Sequence, residues 1–399
     1  MKILIVHNYY QLARGEDDVV ANEIALLSEF GHDVQLYSCR NDAIQSLPDK
    51  IRTAWGSTYS QFGRRQVAKR IEDYSPDIVH VHNFFPLLSP SIYDACREAG
   101  VPVVQTLHNY RLICASGQLT RQGSPCEKCI HGAYGWGVVH KCYRESMLGS
   151  FFVARMLSHH RKRKTWAEKV DCFITPSHFM KRKFMEAELP MAEVRVKPNF
   201  VPEAQEMESS AGAPERSGAL FAARLSQEKG VGTLLDAWQG LDVPLRLLGD
   251  GPMMEYVQEK AVPAIDVMGW QPVASLIDEM RRAAFLIMPS TWYEGFPVTL
   301  VLALSNGLPI IASRLGAMEE VVEDGKTGLL FTPGDAADLA EKVAWAADNM
   351  DRMREMSANA RSVYEEKYSA KANYENLMDI YKSAMNAANG PHARASEQI

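Results

Sequence analysis

Short apolar runs rich in β-branched residues alternate along this chain with longer stretches in which apolar residues recur at helical spacing. Such alternation is typical of βαβ units, which build a parallel sheet covered by helices on both faces. In the first half of the chain we therefore expect strands at residues 3–6, 34–37, 78–81, 101–107 and 172–174.

A second series of apolar runs begins after residues 197–217, a stretch rich in Pro, Ser, Ala, Gly and Glu that is typical of a linker. We expect two doubly wound α/β domains, at residues 1–198 and 199–370. A periodic stretch at residues 371–388 predicts a final helix that crosses back to the first domain, and residues 389–399 are expected to form a flexible tail. The strands of the second domain are predicted at residues 220–222, 245–248, 265–268, 284–288, 309–312 and 329–331.

A chain of 399 residues exceeds the size at which one hydrophobic core keeps growing, which agrees with two domains and favours a site in the cleft between them. The composition, 46% hydrophobic and 23% charged with a net charge of -6, is that of an ordinary globular protein and argues against a nucleic-acid binder. The first residues lack a small-residue cleavage site, and no later run approaches the ~18 apolar residues of a membrane span. We therefore expect a cytoplasmic protein without a nucleic-acid partner.

The stretch PSTWYEGFP places one carboxylate, Glu294, between a predicted strand and a predicted helix. Pro297 suits the first position of a helix that runs to Asn306, with Gly307 as its stop. Ligands bind beyond the carboxyl ends of strands in an open parallel sheet, and the free N–H groups at a helix start suit a phosphate. Glu294 would then lie beside an anion site and accept hydrogen bonds from sugar hydroxyl groups. The alternative is a surface turn with a solvated glutamate.

Three further segments follow predicted strands. Arg224 and Lys229, in RLSQEKG, are placed to neutralise a diphosphate, although such pairs are more often solvated. The glycine turn LLGDGPM, residues 247–253, either lets backbone approach a ligand or is a simple turn. Gly15 lies at a strand-to-helix junction, and the acids after it suit a helix start equally well.

Together these segments resemble, in order and spacing, glycosyltransferase family 4, whose members are retaining, nucleotide-sugar-dependent enzymes of the GT-B fold. The motifs in the second half are RLSQEKG, LLGDGPM, PSTWYEGFP and GLPIIASRLGAMEEVVEDGKTGLLF, and those in the first half are RGED, DIVHVHNFFP and PVVQTLHNYR. The resemblance covers nearly the whole chain. It implies an α/β fold of two Rossmann-like domains that face a cleft.

The resemblance also implies a role for each residue that matches a family motif. Arg224 and Lys229 would hold the donor diphosphate, and Glu294 would bind hydroxyl groups of the donor sugar. His108 would lie near the reacting sugar carbon, and Gly15 would bring backbone to the phosphates. The other donor-binding positions are Gly295, Phe296, Pro297, Val298, Thr299 and Glu320.

A mechanism follows from this chemistry. Departure of a nucleoside diphosphate leaves positive character on the sugar and negative charge on the phosphate, so we expect cations and helix amides to be the main stabilising groups. That scheme requires no divalent metal or other cofactor. The resemblance implies retention of the anomeric configuration, through front-face attack in which the leaving phosphate helps to deprotonate the acceptor.

Three positions depart from the family pattern. Leu302 stands where such enzymes usually carry a second glutamate that hydrogen-bonds the nucleotide ribose, and Ala223 and Arg14 replace glycines. Because one hydrogen bond contributes about 1 kcal/mol, we expect a weaker or differently held donor rather than loss of the fold. Two alternatives remain open: a nucleotide-sugar-binding protein with an inactive site, and a sugar-nucleotide epimerase on a similar scaffold.

A cysteine-containing insert, residues 109–146, follows His108 in the first domain. Its spacing, C-x11-C-x2-C-x12-C, is compatible with a structural zinc site and equally with packed free thiols in a reducing compartment. The four cysteines are Cys114, Cys126, Cys129 and Cys142.

The segment after the insert combines apolar residues with the basic run 161–164. Its apolar positions include Met147, Phe151, Met156 and Leu157. Such a segment can lie on an anionic membrane surface and reach a lipid-linked acceptor, or it can be an amphipathic core helix. We expect the acceptor to be a glycan or lipid-linked precursor of a cell-surface polysaccharide, with the protein in the cytoplasm or at the cytoplasmic face of the inner membrane.

Overall fold

The computed structural model describes residues 1–11, 15–202 and 216–388. Within these ranges the chain forms two compact units. The first unit contains residues 1–119 and 127–198 together with the described residues from Asn373 onwards, and the second contains residues 120–126 and 199–372. Most of the predicted linker lies outside the described residues, as do Arg14 and the predicted tail at 389–399.

The bounds of the strands and helices are as follows. The strands are β1 Lys2–Tyr9, β2 Asp33–Arg40, β3 Ile78–Asn83, β4 Val103–Thr106, β5 Thr120–Arg121, β6 Ser124–Pro125, β7 Cys172–Thr175, β8 Glu193–Val196, β9 Ala219–Ala222, β10 Leu245–Leu248, β11 Ile265–Gly269, β12 Phe285–Met288, β13 Ile310–Ser313 and β14 Gly328–Phe331. The helices are α1 Gly15–Glu29, α2 Leu47–Gly56, α3 Gln61–Tyr74, α4 Ile92–Glu98, α5 Gly135–Val139, α6 Met147–Lys162, α7 Thr165–Glu168, α8 His178–Glu186, α9 Val231–Trp238, α10 Met254–Lys260, α11 Val273–Arg282, α12 Val298–Ser305, α13 Met318–Val321, α14 Ala336–Asp348, α15 Met350–Val363 and α16 Ala370–Ala388.

The first unit is built on a six-stranded sheet with the order β2-β1-β3-β4-β7-β8. All of its strand pairs are parallel. The apolar runs predicted as strands form β1, β2, β3, β4 and β7. The edge strand β8 was not predicted, because its sequence EVRV alternates charged and apolar residues instead of forming an apolar run.

The helix α16 belongs to the first unit and packs on its sheet. Leu377, Ile380 and Tyr381 of this helix are completely buried. They share a core with Ile3 of β1 and Ile78 of β3. The sheet therefore obtains part of its cover from the end of the described chain.

The second unit has a six-stranded parallel sheet with the order β11-β10-β9-β12-β13-β14. The direction in which strands are added reverses between β9 and β12, which is the topological switch point where doubly wound sheets bind ligands. Apolar clusters pack on both faces of this sheet. The predicted fold class, two doubly wound α/β units, is confirmed.

One part of the cysteine-containing insert differs from the prediction, which assigned residues 109–146 to the first domain. The hairpin β5–β6, within residues 120–126, groups with the second unit. Its turn residue Gly123 accepts a hydrogen bond from Thr291 Oγ1 at 3.2 Å, and a Cβ at Gly123 would lie 3.0 Å from the side chain of Gln227. Such backbone contacts leave no apolar signal in the sequence.

The helix α6 shows features of both alternatives that the sequence left open. Met156 and Leu157 are buried core residues, whereas Met147 and Phe151 are 55% and 49% exposed. One side of the helix therefore packs in the core of the first unit, and the other side presents apolar side chains to solvent. Of the helices in the described ranges, none combines the length and the apolar character needed to cross a membrane.

Candidate active site

Two adjacent strands of the second sheet end in residues that form an ion pair. Lys229 follows β9 in a turn that extends to Gly230, and Glu294 follows β12. Lys229 Nζ donates a hydrogen bond of 2.6 Å to Glu294 Oε1. Since β9 and β12 flank the switch point of this sheet, the pair occupies the position where such sheets bind their ligands.

Glu294 is held in one orientation and is only 5% exposed, so the solvated surface turn is excluded. Ser290 Oγ donates a second hydrogen bond of 2.8 Å to the same oxygen, Oε1. Among the residues that the structure describes, Oε2 of Glu294 has no hydrogen-bond partner. A buried carboxylate whose one oxygen is tied down and whose other oxygen remains available can accept hydrogen bonds from a polyhydroxylated ligand.

The loop that carries Lys229 is held in place by close backbone contacts. Gly230 has a φ of 72°, and a Cβ at this position would lie 1.8 Å from the carbonyl oxygen of Pro289. Thr291 N donates to Glu228 O at 2.9 Å. Only glycine permits this approach, so the loop after β9 and the strand end that leads to Glu294 are tied together.

The glycine turn after β10 supports the same loop from the other side. Cβ atoms at Gly249 and Gly251 would lie 1.9 and 2.4 Å from the carbonyl oxygens of Ala223 and Leu225. Leu225 N also donates to Asp250 O at 2.9 Å. The glycines of LLGDGPM are thus required by the contact with the loop that bears Arg224.

Arg224 lies in this loop with an exposed side chain. Within the described ranges its guanidinium has no ion-pair partner, which distinguishes it from Lys229. A guanidinium that is exposed, always charged and unpaired is available to bind a phosphate in bidentate fashion.

The helix α12 begins at Val298, with Pro297 as its N-cap and Asn306 at its other end, close to the predicted bounds. Phe296 and Val298 pack against the core of the second unit. Their side chains are therefore anchors, and the first turn presents backbone N–H groups, which have no partner within a helix and attract anions. Thr299 lies in this first turn.

Glu320 lies in the short helix α13 and is half-buried. Burial, followed by the nearby charge of Glu320, raises the pKa of Tyr368 to about 12. Phe296 packs against Tyr368 with ring centroids 5.9 Å apart. Glu320 is thus connected through Tyr368 to the segment that follows Glu294.

Leu302, which stands where the family pattern has a second glutamate, packs against the apolar core of the second unit. It lies one turn into α12, and its neighbours Val301 and Ala303 are completely buried. This position serves packing and offers no acceptor atom to a ligand.

In the first unit, Gly15 is the first residue of α1, after β1. No atom lies within 4 Å of a Cβ built at this glycine, so the space beside it is open. The acids that follow interact with strand ends: Asp17 Oδ1 lies 2.9 Å from His7 Nε2, and Glu16 accepts a hydrogen bond of 3.2 Å from Asn83. Glu16 and Asp17 thus contact the sheet as well as lying in the first turn of α1, where acidic residues suit a helix start.

His108 follows β4 and forms a chain of contacts into the interior of the first unit. Its Nε2 lies 3.0 Å from Nδ1 of His82, on the neighbouring strand β3. His82 Nε2 in turn lies 3.2 Å from Oε1 of the buried Glu23. Burial lowers the pKa of His82 to about 3 and holds the pKa of His108 well below its usual value, so both imidazoles are neutral at neutral pH.

An apolar cavity of about 600 Å³ opens beside the end of β3 in the first unit. Phe85 and Pro86, which follow this strand, form one wall, and Trp55 and Leu148 contribute from α2 and α6. Lys50 and Arg144 also line it, and among the described residues no acidic side chain does. Trp55 and Leu148 are 58% and 67% exposed. Large apolar side chains that are exposed next to each other are typical of a binding surface.

A zinc site at the four cysteines of the insert stays a prediction. In the described part of the chain, groups of three or more potential ligands within 4.8 Å of one another contain histidine and carboxylate residues but no cysteine. None of these four cysteines, all of which lie in the described ranges, is in a disulfide. Cys114 has its Sγ 3.1 Å from Ser116 Oγ, and a Cβ at Gly137 would lie 3.8 Å from Cys129 Sγ. Zinc ligation and packed thiols therefore both stay open for these cysteines.

Comparison with known proteins accounts for both units. The family described as Glycosyltransferase Family 4 matches residues 17–205, and that described as Glycosyl transferases group 1 matches residues 216–349. The chain belongs to glycosyltransferase family 4.

Individual glycosyltransferases resemble parts of the chain. The chain is 32% identical over 237 residues to the phosphatidyl-myo-inositol mannosyltransferase of Mycobacterium leprae. The aligned region covers 55% of this chain and 61% of the relative. The chain spans less than two thirds of the length of the curated relatives that it matches first.

Solved structures show the same GT-B fold over nearly the whole chain. Sucrose-phosphate synthase from Thermosynechococcus elongatus matches with a TM-score of 0.71 and 18% identity, covering 97% of this chain and 99% of that one. The Anabaena protein HepE in complex with UDP matches with a TM-score of 0.64 and 18% identity, covering 96% and 100%. At this identity the likeness establishes the fold alone.

Sequence reasoning on this family 4 chain missed several polar residues around the candidate site. Ser290 stands four residues before Glu294 within the same motif, but a serine before a turn carries no signal that its side chain binds a carboxylate. Glu23 looks like any acid on a surface helix, and Lys197 like the first residue of a linker. Their contact joins residues 174 positions apart, which leaves no local signal.

Proposed function

We propose that the chain is a retaining glycosyltransferase that moves a sugar from a nucleotide diphosphate sugar to a glycan or lipid-linked acceptor of cell-surface polysaccharide biosynthesis. The observation that carries this proposal is the Lys229–Glu294 ion pair at the switch point of the second sheet. A cation for phosphate and a carboxylate for hydroxyl groups lie side by side, as a nucleotide sugar requires.

Binding of the donor follows from the chemistry of these groups. Arg224 and Lys229 hold the diphosphate, together with the N–H groups at the start of α12, from Gly295 to Thr299. Glu294 Oε2 accepts hydrogen bonds from the sugar, and Glu320, which is connected to Phe296 through Tyr368, is a further donor-binding residue. UDP is the first nucleotide to test, because the structurally similar HepE has been crystallised with UDP.

The reaction breaks the bond between the anomeric carbon and the diphosphate oxygen and forms a bond from an acceptor oxygen to that carbon. The acceptor proton passes to the leaving phosphate. Negative charge that develops on the diphosphate is stabilised by Arg224, Lys229 and the helix amides, so the scheme needs no divalent cation. Glu294 is engaged by Lys229 and Ser290 and acts in binding, which favours attack from the face that the phosphate leaves and retention of configuration.

The first unit contributes Gly15 and His108. Gly15 offers open backbone at the start of α1, where N–H groups suit phosphate. His108 is a neutral imidazole and serves as a hydrogen-bonding group for the reacting sugar.

The apolar cavity beside β3 is the proposed acceptor site. Its walls suit a hydrocarbon chain, while Lys50 and Arg144 suit a phosphate, so the lining matches an amphiphilic, phosphate-bearing acceptor. The exposed apolar residues Met147 and Phe151 of α6 favour work at a membrane surface. None of the seven cysteines, which all lie in the described ranges, is in a disulfide, and this is compatible with the proposed place at the cytoplasmic face of a membrane.

The test is release of nucleoside diphosphate from a panel of UDP, GDP and other nucleotide sugars, with and without a lipid extract, in EDTA. Release with one donor, stimulated by the extract and lost in Glu294→Gln, supports the proposal. Turnover only with an added divalent cation contradicts the metal-free scheme. If the folded protein binds a nucleotide sugar without turnover, the inactive binding protein takes precedence, a candidate favoured by the packing of Leu302 in the core. Interconversion of nucleotide sugars without acceptor would identify an epimerase.

A further inference from the structure

A cluster of ionisable side chains lies inside the first unit, away from solvent. Glu23 of α1, His80 and His82 of β3 and Lys197, just beyond β8, are at most 3% exposed. Lys197 Nζ donates hydrogen bonds to Glu23 Oε2 at 2.9 Å and to Asn373 Oδ1 of α16 at 3.1 Å. A buried group of this size requires every charge and proton to have a partner.

Glu23 is a carboxylate within this cluster. Burial alone would raise its pKa, but Lys197 and the two histidines hold the pKa well below its usual value. Its two oxygens face different groups. Oε2 accepts a hydrogen bond from Lys197 Nζ. Oε1 lies 3.0 Å from His80 Nδ1 and 3.2 Å from His82 Nε2.

His80 has partners for both of its nitrogens besides Glu23. Its Nδ1 lies 2.8 Å from the hydroxyl of Tyr381, and its Nε2 lies 2.8 Å from Thr106 Oγ1. His82 Nε2 lies 3.2 Å from Glu23 Oε1, a contact whose geometry falls short of a well-formed hydrogen bond.

These contacts determine where the protons lie on the two imidazoles that lead outward. A carboxylate can only accept, so neutral His82 carries its proton on Nε2 and leaves Nδ1 as a lone pair. His82 Nδ1 lies 3.0 Å from His108 Nε2, which must therefore carry the proton of His108. The remaining nitrogen, His108 Nδ1, is then a hydrogen-bond acceptor, and it has no partner among the residues that the structure describes.

We propose that Glu23 is a positioning residue that acts through His82 to fix the tautomer of His108, so that Nδ1 of His108 accepts a hydrogen bond from a substrate hydroxyl. This inference rests on the proposed function for the identity of that hydroxyl, which belongs to the reacting sugar or the acceptor. The tautomer decides the direction of this hydrogen bond. With the proton on Nε2, His108 Nδ1 accepts from the substrate hydroxyl, whereas the opposite tautomer would present an N–H donor at the same place.

The same side chains also suit a metal ion geometrically, since Glu23, His80 and His82 offer three ligand atoms within 4.8 Å of one another. The charges disfavour that use. One carboxylate already faces the ammonium of Lys197, so a divalent cation would leave two uncompensated positive charges in a buried site. It would also displace Tyr381 from His80 Nδ1.

Glu23→Gln tests the proposal because it is expected to reverse the proton order. Lys197 can only donate, so it retains the amide oxygen of Gln, and the amide NH₂ then faces His82 Nε2 as a donor. The proton of His82 would then lie on Nδ1 and form a hydrogen bond to His108 Nε2. His108 would consequently carry its own proton on Nδ1, which would be a donor instead of an acceptor. The matched control is Tyr381→Phe, which removes a hydroxyl from the same cluster but leaves the path from Glu23 to His108 unchanged.

The tautomers are measured by ¹⁵N NMR of histidine-labelled full-length protein, and the turnover number and KM by donor-dependent product formation. We expect protons on Nε2 of His82 and His108 in the wild type and reversal in Glu23→Gln. We also expect a fall in kcat of about tenfold to a hundredfold in that variant, little change in donor KM, and neither effect in Tyr381→Phe. Thermal unfolding establishes that both variants are folded.

The outcomes separate this proposal from the proposed function. Absence of turnover in the wild type would overturn the glycosyltransferase assignment, while the wild-type tautomers would still support or refute the action of Glu23 on His108. A proton on Nδ1 of wild-type His108 overturns the proposal, even if Glu23→Gln does not fold. So does a folded Glu23→Gln with unchanged kcat, and so does a change of the His80 and His82 signals on adding Zn²⁺ alone or a chelator.

Discussion

Lys229 and Glu294 are 65 residues apart in the sequence, yet their side chains are joined by a hydrogen bond of 2.6 Å. They meet because β9 and β12 are neighbours in the second sheet although two other strands lie between them in the chain. The fold thus places a cation and a carboxylate in fixed positions before any ligand binds. Fixed charges of this kind stabilise a developing charge without reorganisation during the reaction.

Replacement of Glu294 by Gln is expected to lower kcat/KM by about 10²- to 10³-fold, because the amide cannot accept hydrogen bonds from sugar hydroxyls as strongly as the carboxylate does. Product formation at varied donor concentration measures the effect. Glu279→Gln is the matched control. Glu279 of α11 is a similarly buried glutamate, 7% exposed, and its Oε2 lies 3.1 Å from Nε of Arg246 in β10. Equal losses of activity in the two variants would show a general effect of removing a buried charge.

Gly230→Ala is expected to destabilise the protein by more than about 1 kcal/mol and to reduce donor binding. The new Cβ would lie 1.8 Å from Pro289 O, and the φ of 72° is unfavourable for alanine. Chemical unfolding and UDP titration provide the two measurements. Gly232→Ala, where a Cβ meets no atom within 4 Å, serves as the control and should be neutral or stabilising by up to about 1 kcal/mol. Wild-type donor affinity in Gly230→Ala would contradict a coupling between this loop and the donor.

The pH dependence of stability is expected to include His160, a buried residue of α6. Its Nε2 donates to Thr58 O at 2.8 Å, and its Nδ1 lies 2.9 Å from Thr165 Oγ1. Burial lowers its pKa to about 4, against about 6.5 in an unfolded chain. Because the unfolded state binds the proton more readily, this contribution to stability is complete above pH 6.5 and is lost as the pH falls from there towards 4.

His160→Gln should remove this part of the pH dependence while keeping a donor and an acceptor at the same place. We expect the free energy of unfolding of the wild type to fall between pH 6.5 and 4 by up to about 1.4 kcal/mol per pH unit more than that of the variant. Urea unfolding at a series of pH values measures both slopes. Identical slopes would mean that His160 is protonated equally in the folded and unfolded states.

Leu148→Ser is expected to raise the KM for a lipid-linked acceptor severalfold, because it removes an apolar wall of the cavity beside β3. The side chain is 67% exposed, so stability should change little. Met185→Ser is the matched control, since Met185 is 61% exposed in α8 and does not line the cavity. Acceptor titrations with long-chain and water-soluble acceptors provide the measurement. An equal effect on the water-soluble acceptor would contradict a site for the hydrocarbon chain.

The sequence was sufficient to predict the two doubly wound units, because buried parallel strands must be apolar runs and each such run stands out between helices. It also predicted Glu294 at a strand end, since its motif is contiguous. The partners of Glu23 and the place of residues 120–126 depend on contacts between distant segments, and neither alters local composition. The cysteine spacing left zinc and packed thiols as alternatives, because spacing alone contains no information on the direction in which the thiols point.

The packing of α16 on the first sheet has a consequence for biosynthesis. On the ribosome, residues 1–198 emerge well before residues 373–388, yet Ile3 and Ile78 share their core with Leu377 and Tyr381. Lys197 likewise reaches its partner Asn373 only after the whole second unit has been synthesised. The first half of this chain is therefore synthesised with part of its sheet uncovered, and a helix made after the whole second unit completes the unit that was begun first.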